Sequence, residues 1–167
     1  RFETGRPTET APVLASTFKE DWPQFSPDGR RVAFESEQSG DGHDIWLADA
    51  DGTNPKPLTH GPGLYQGSPR WSPDGARIAF DSQGEDGTWD IWTIEVEGGS
   101  PRRLTQGPGN ENSPSWSRDG RFVYFAVSPE RGDPDVWRIP AEGGTEERVT
   151  RGGGAWAYES LDGQTLF

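Results

Sequence analysis

One short stretch recurs along this chain and limits what it can fold into. Ser26-Pro27-Asp28-Gly29 follows an aromatic and leads into Arg31-Val32-Ala33-Phe34. The same pattern returns at Trp71-Ser72-Pro73-Asp74-Gly75 with Ile78-Ala79-Phe80, and at Trp116-Ser117-Arg118-Asp119-Gly120 with Val123-Tyr124-Phe125. A fourth copy runs through Tyr158-Glu159-Ser160-Leu161-Asp162-Gly163 to Phe167. Each copy predicts a hairpin. Proline presets φ at the first turn position, aspartate tolerates the second, and glycine supplies the positive φ that closes the turn. The β-branched and aromatic residues that follow favour a strand.

The period decides the architecture. Asp28, Asp74 and Asp119 stand 46 and 45 residues apart. Two further markers keep the same spacing: Asp44-Ile45-Trp46, Asp90-Ile91-Trp92 and Asp135-Val136-Trp137, then Leu58-Thr59, Leu104-Thr105 and Val149-Thr150. Each repeat therefore holds four short strands: one before the Asp-Gly turn, one after it, one on Ile-Trp and one on Leu-Thr. Four antiparallel strands in about 45 residues make one β-propeller blade. The expected fold is all-β and helix-free, with complete blades over residues 21–64, 65–109 and 110–154. Residues 1–20 read as the outer strands of a split blade and residues 155–167 as the inner hairpin of another, so the two ends are complementary halves. Closing them within one chain would strain blades suited to a larger ring, which predicts an open arc.

Composition agrees with this layout. Only 29% of residues are hydrophobic, against 23 glycines and 15 prolines. In a patternless chain that balance would suggest disorder, but here glycine and proline fall at the repeated turns. Eight Trp and eight Phe supply large side chains to bury between blades. The net charge of −12 argues against direct contact with a nucleic-acid backbone or an anionic membrane surface. With no cysteine there is neither a disulfide framework nor a thiolate metal site. No apolar run approaches the roughly 18 residues of a membrane span, and no signal peptide opens the chain. The chain lacks Met and opens inside what reads as a strand, so a segment of a longer protein is expected, and the compartment stays open.

These residues together resemble the TolB-like family of β-propeller repeats, related to the WD repeat. Its hallmark is Ser-Pro-Asp-Gly, a strand ending in Ala-Phe, then Asp-Ile-Trp and Leu-Thr, and the likeness covers nearly the whole chain. The propellers attached to bacterial winged-helix regulators and Ser/Thr kinases look closer still, through Val149-Thr150-Arg151-Gly152-Gly153-Gly154 and Glu159-Ser160-Leu161-Asp162-Gly163. Arg118 and Leu161 stand where the family usually has proline. The resemblance implies a bacterial scaffold for interaction or sensing, periplasmic or cytoplasmic, and brings no catalytic residues.

Several short motifs with other meanings are present, most of them incomplete. Asp49-Ala50-Asp51-Gly52-Thr53-Asn54 starts like a calcium loop, but Asn54 and His60 occupy the places that need Gly and Glu. It aligns with Glu97-Gly98-Gly99 and Glu142-Gly143-Gly144, hence a turn. Asp86-Gly87-Thr88-Trp89 is one residue short of a sialidase Asp-box. No Gly-x-Ser-x-Gly elbow is present, and His43 and His60 alone make a poor zinc site. Arg131-Gly132-Asp133 spells an adhesion tripeptide at a loop that wants glycine anyway. No catalytic residue, metal or cofactor is expected.

The loop joining the second and third strands of a blade opens on the same face as the loop leading to the next blade. Function on a rigid scaffold sits in loops that vary, and on this face the variable residues are His43, Tyr65, Gln66, Trp89, Asn110, Glu111, Asn112 and Arg131. Tyr65 and Trp89 are the expected anchors, because aromatics with polar handles dominate interfaces. The expected partner is another protein or a small ligand, bound without catalysis. The alternative is the gating propeller of a larger, prolyl-oligopeptidase-like serine peptidase whose catalytic domain lies elsewhere.

Overall fold

The computed structural model describes residues 16–40, 42–60, 65–107, 109–129, 132–160 and 162–167. Among the described residues, twelve strands form three four-stranded antiparallel sheets, each a meander in chain order. The first holds β1 (Glu20–Phe25), β2 (Arg31–Ser36), β3 (Asp44–Asp49) and β4 (Lys56–Pro57). The second holds β5 (Tyr65–Trp71), β6 (Arg77–Gln83), β7 (Trp89–Glu95) and β8 (Arg102–Arg103). The third holds β9 (Asn110–Trp116), β10 (Phe122–Ser128), β11 (Asp135–Pro140) and β12 (Glu147–Arg148). The chain is all-β, with no helix among the described residues, and the sheets are propeller blades.

The repeated turn forms in the same way each time. Gly29 N–H donates to the Ser26 carbonyl at 2.9 Å. The Ser26 hydroxyl donates to Asp28 Oδ1 at 2.6 Å and accepts the Arg31 amide at 3.0 Å, while Asp28 takes the Arg30 amide at 3.1 Å. Gly29 closes the turn at φ +71°, and Gly75, Gly120 and Gly163 match it within a few degrees. Arg118 in place of proline leaves the pattern intact, because serine, aspartate and glycine make all of these bonds.

The outermost strand sits earlier than expected. Pairing to β3 ends at Pro57 rather than running through Leu58-Thr59. Leu58 and Thr59 both turn their amides toward the Ile45 carbonyl, at 2.7 and 3.2 Å. The Ile45 amide meanwhile donates to the Thr59 hydroxyl at 2.9 Å. A side-chain oxygen occupies the place of the next ladder carbonyl, so the strand stops there.

Neighbouring blades are joined by an apolar layer and a polar stitch. Ala33, Ile45 and Leu47 of the first blade pack on Trp71, Ile78, Phe80 and Ile94 of the second. Ala79, Ile91 and Leu104 of the second pack on Val123, Phe125 and Ile139 of the third. The Trp71 indole N–H donates to the Gln24 carbonyl, and that of Trp116 to the Arg70 carbonyl, each at 3.0 Å. Phe25 holds the equivalent place in the first blade and is 51% exposed.

Beyond the third blade, Tyr158 and Phe167 exchange backbone hydrogen bonds of 3.0 and 2.9 Å, forming a short hairpin. Its Ala157 and Leu166 pack on Tyr124 and Val136. The outer strands expected near the N-terminus, and any pairing of residues 1–15 with this hairpin, lie outside the described residues.

Candidate functional site

The first strand of every blade carries an irregularity that the hairpin pattern does not announce. β1, β5 and β9 each shift register against their partners within a few residues of a proline. The residue before that proline adopts a left-handed backbone: Trp22 at φ 52°, Ser68 at 49° and Ser113 at 55°. Such values are uncommon for residues with a side chain and carry strain that the surroundings must hold. The bulge turns these three residues out of the pleat toward one shared cavity of about 270 Å³.

Three blades build that cavity. Trp22 and Glu35 come from the first, Tyr65, Gln66, Ser68, Asp81 and Trp89 from the second, and Asn112 and Ser113 from the third. Glu35 and Asp81 occupy the same place in their repeats, each directly after the buried phenylalanine of the second strand. A Cβ on Gly67 would stand 2.7 Å from Glu35 Oε2 and 3.1 Å from Asp81 Oδ1. Two carboxylates from different blades thus converge on one stretch of backbone, and a side chain at position 67 would have to displace the Glu35 carboxylate.

Asp81 is 4% exposed. Its Oδ2 accepts the Ser113 amide at 2.9 Å, and the Ser68 side chain also bonds to it. Burial outweighs these bonds and, with help from the Glu35 charge, raises its pKa to about 6. Glu35 in turn is hydrogen-bonded to His43 Nδ1, while His43 Nε2 lies 3.1 Å from Glu37. The His43 and Tyr65 rings meet at 5.0 Å between centroids.

Of the eight residues singled out from sequence, Glu111 lines a different cavity, and the other seven divide into three groups. Tyr65, Gln66, Trp89 and Asn112 line the cavity. His43 and Asn110 work one layer back, and both tie blades together. The His43 carbonyl accepts the Gln66 amide at 2.9 Å, and Asn110 Oδ1 accepts the Trp89 amide at 3.2 Å. Arg131 lies outside the described residues. Tyr65 is 44% exposed, whereas Gln66 is 1% exposed and forms the wall rather than the surface. It points inward because strand alternation sends consecutive residues to opposite faces.

Sequence reasoning missed Glu35, Asp81, Trp22 and Ser68. Two signals were present: an acid directly after the apolar run of a strand, in Phe34-Glu35 and Phe80-Asp81, and a proline repeated three residues before the turn serine. No group of three His, Asp or Glu side chains able to hold a metal occurs among the described residues. The arrangement can accept hydrogen bonds and positive charge from a ligand between aromatic walls.

Comparison with known proteins follows the same line. A family profile for the TolB β-propeller domain matches residues 64–167. A structure assigned to TolB from Agrobacterium tumefaciens is 28% identical with a TM-score of 0.80, over 91% of this chain and 54% of that one. TolB from Acinetobacter baumannii is 25% identical with a TM-score of 0.71, over 87% and 36%. An oligogalacturonate lyase, solved in complex with manganese, is 26% identical with a TM-score of 0.65, over 83% and 38%. The chain thus spans about half the length of the first of these relatives and less of the others. A comparison with curated protein sequences found no match.

Proposed function

The chain belongs to the TolB β-propeller family, and from that premise we propose that it is a non-catalytic recognition scaffold whose variable-loop face binds another protein. One observation carries the proposal: three successive blades contribute to a single acidic cavity rimmed by Trp22, Tyr65 and Trp89. Aromatic side chains at the mouth supply contact area at small entropic cost, while the buried carboxylate supplies specificity. Strained backbone at Trp22, Ser68 and Ser113 supports this, since strain collects where geometry serves binding. The acid-lined floor favours a partner segment that presents a basic or hydrogen-bond-donating group.

A gating role in a larger peptidase has no comparable support, because the cavity is built from within three blades and contains no catalytic constellation among the described residues. Fusion to a winged-helix regulator or a kinase likewise draws no support from the matches above.

The test is site-specific photocrosslinking in cells. A photoreactive phenylalanine at position 65 should give a discrete protein adduct, and Asp81→Asn should reduce its yield several-fold. The same label at position 97, in the turn on the opposite face, should give none. Equal adducts from both positions, or an adduct indifferent to Asp81, would remove the proposal.

A further inference from the structure

A larger cavity, of about 420 Å³, lies beside β9, β10 and β11 and is lined by Glu111, Glu146, Val127, Pro129 and Trp137. Its volume falls within the range of small-molecule sites, and its walls are mainly apolar. Glu111 stands out among them. It is 1% exposed, and its Oε2 meets no hydrogen-bond donor among the described residues. The Thr105 side chain bonds to the same carboxyl group. Gly107 leaves the space the carboxylate fills: a Cβ there would collide with Oε1 and reach within 3.6 Å of Glu146 Oε2.

Elsewhere in the fold this position is either partnered or neutral: in the first blade it holds Glu20, which is only partly buried and accepts the Gln38 side-chain amide at 3.0 Å. In the preceding repeat the same place holds Gln66, a neutral side chain of the same length and equally buried. A buried carboxyl with one oxygen free of donors costs stability. The charged groups around it do not compensate. Burial raises the Glu111 pKa to about 7, and Glu146 and Asp90 add to the rise. Arg103 and Thr105 oppose it, but Arg103 is engaged with Asp90 at 2.7 Å and with the Thr105 carbonyl at 2.9 Å.

We propose that this cavity binds a small organic cation, an arylalkyl- or alkylammonium, whose charged head is held by Glu111 and Glu146 and whose apolar body lies against Trp137, Val127 and Pro129. An ammonium group supplies the donors that Oε2 lacks, and the indole face attracts the same charge. A hard divalent ion fits less well, since it takes six or more oxygen ligands and would leave the apolar wall unused. The site is separate from the rim of Tyr65 and Trp89.

Binding of phenethylammonium, followed by calorimetry and tryptophan fluorescence, tests this. Saturable binding is expected below millimolar concentration, with neutral 2-phenylethanol at least about tenfold weaker, the usual loss on removing a charge-assisted bond. The cation binds the ionised carboxylate, so a group titrating near pH 7 should make affinity rise roughly tenfold from pH 6 to pH 8. Glu111→Gln should weaken binding about tenfold and abolish that rise. Should that variant not fold, Glu146→Gln and the wild-type pH dependence decide in its place, with weaker binding expected in the former. Tyr65→Ala should leave amine binding unchanged, which keeps this site distinct from the recognition face. Equal affinity for the alcohol, a flat pH dependence, or no saturable binding at 10-fold excess over about 1 mM would overturn the proposal.

Discussion

The hydroxyl of Thr59 donates to the carboxylate of Asp44 at 3.1 Å, across fifteen residues of chain. The same oxygen accepts the Ile45 amide at 2.9 Å. In the third blade Thr150 stands in the same relation to Asp135 and Val136, at 3.4 and 2.9 Å. The Asp-Ile-Trp and Leu-Thr markers recur together because they are two ends of one buried hydrogen-bond unit. Thr105 keeps the bond to the Ile91 amide at 2.9 Å, and its side chain also bonds to Glu111.

Removing that oxygen should cost more than removing a methyl group. Thr59→Val preserves shape but leaves the Ile45 amide buried without an acceptor, at an expected loss of about 2 kcal/mol. Thr59→Ser keeps the oxygen and should lose less than half as much. Urea denaturation of both variants checks this, and a valine variant as stable as the serine variant would contradict the role given to the hydroxyl.

The interblade stitch can be tested in the same way. Arg77 lies 5.1 Å over the Trp116 ring and pairs with Glu142 at 2.8 Å, while Arg31 and Glu97 repeat the motif at Trp71. These exposed ion pairs contribute little by themselves. The indole N–H does more. Trp116→Phe deletes the hydrogen bond to the Arg70 carbonyl together with one ring of the indole and should cost at least about 1 kcal/mol. A denaturation midpoint equal to wild type would show that the bond adds nothing.

Two glycines separate conformational from steric constraint. Gly75 has φ +71°, and an added Cβ would meet nothing nearer than Pro27 Cδ at 3.7 Å. Gly75→Ala should therefore lose only the left-handed preference, about 1 kcal/mol. Gly67→Ala pushes directly into Glu35 and Asp81 and should abolish crosslinking from position 65 even where the protein remains folded. Thermal melts together with adduct yield distinguish the two cases.

Much of the fold was legible because turns and strands are local. Ser-Pro-Asp-Gly carries its own hydrogen bonds, and 46-residue spacing can mean little else. The end of β4 was not legible, since Thr59 stops the ladder through a side-chain bond to a residue fourteen positions earlier. The site was half legible. Loop variability pointed to Tyr65 and Trp89, and both line the cavity. Its chemistry comes from Glu35 and Asp81, whose convergence depends on how two blades lie against each other. Gln66 looked like surface from the loop pattern and is wall, because the parallel bridge from His43 to Tyr65 draws β5 against the first blade.

The pH dependence of stability should carry the signature of the buried acid in the interblade cavity. The turn aspartates Asp28, Asp74, Asp119 and Asp162 all have depressed pKa values, Asp119 down to about 2. At Asp28, Asp74 and Asp162 the serine hydroxyl of the turn is the leading cause, and at Asp119 the Arg121 amide leads. Their contribution is present above the ordinary carboxylate pKa and is lost as pH falls through the folded value. Asp81 has the opposite sign. Its pKa rises from 3.8 to about 6 in the folded protein, so its protonated form favours folding at low pH, and that advantage disappears as pH rises toward 6. Two units correspond to about 3 kcal/mol held against folding at pH 7. Asp81→Asn keeps an oxygen for the Ser113 amide and removes the charge. Relative to wild type, the variant should gain stability steadily between pH 4 and pH 6 and hold the gain above that, while the decline below pH 4 stays the same in both proteins. If the proposed recognition role holds, the substitution should also lower the crosslinking yield from position 65 at pH 7, since the charge removed is the one the cavity would offer. Thermal unfolding of both proteins from pH 3 to pH 8 measures this, and parallel curves throughout would show that Asp81 is not the buried acid of the cavity.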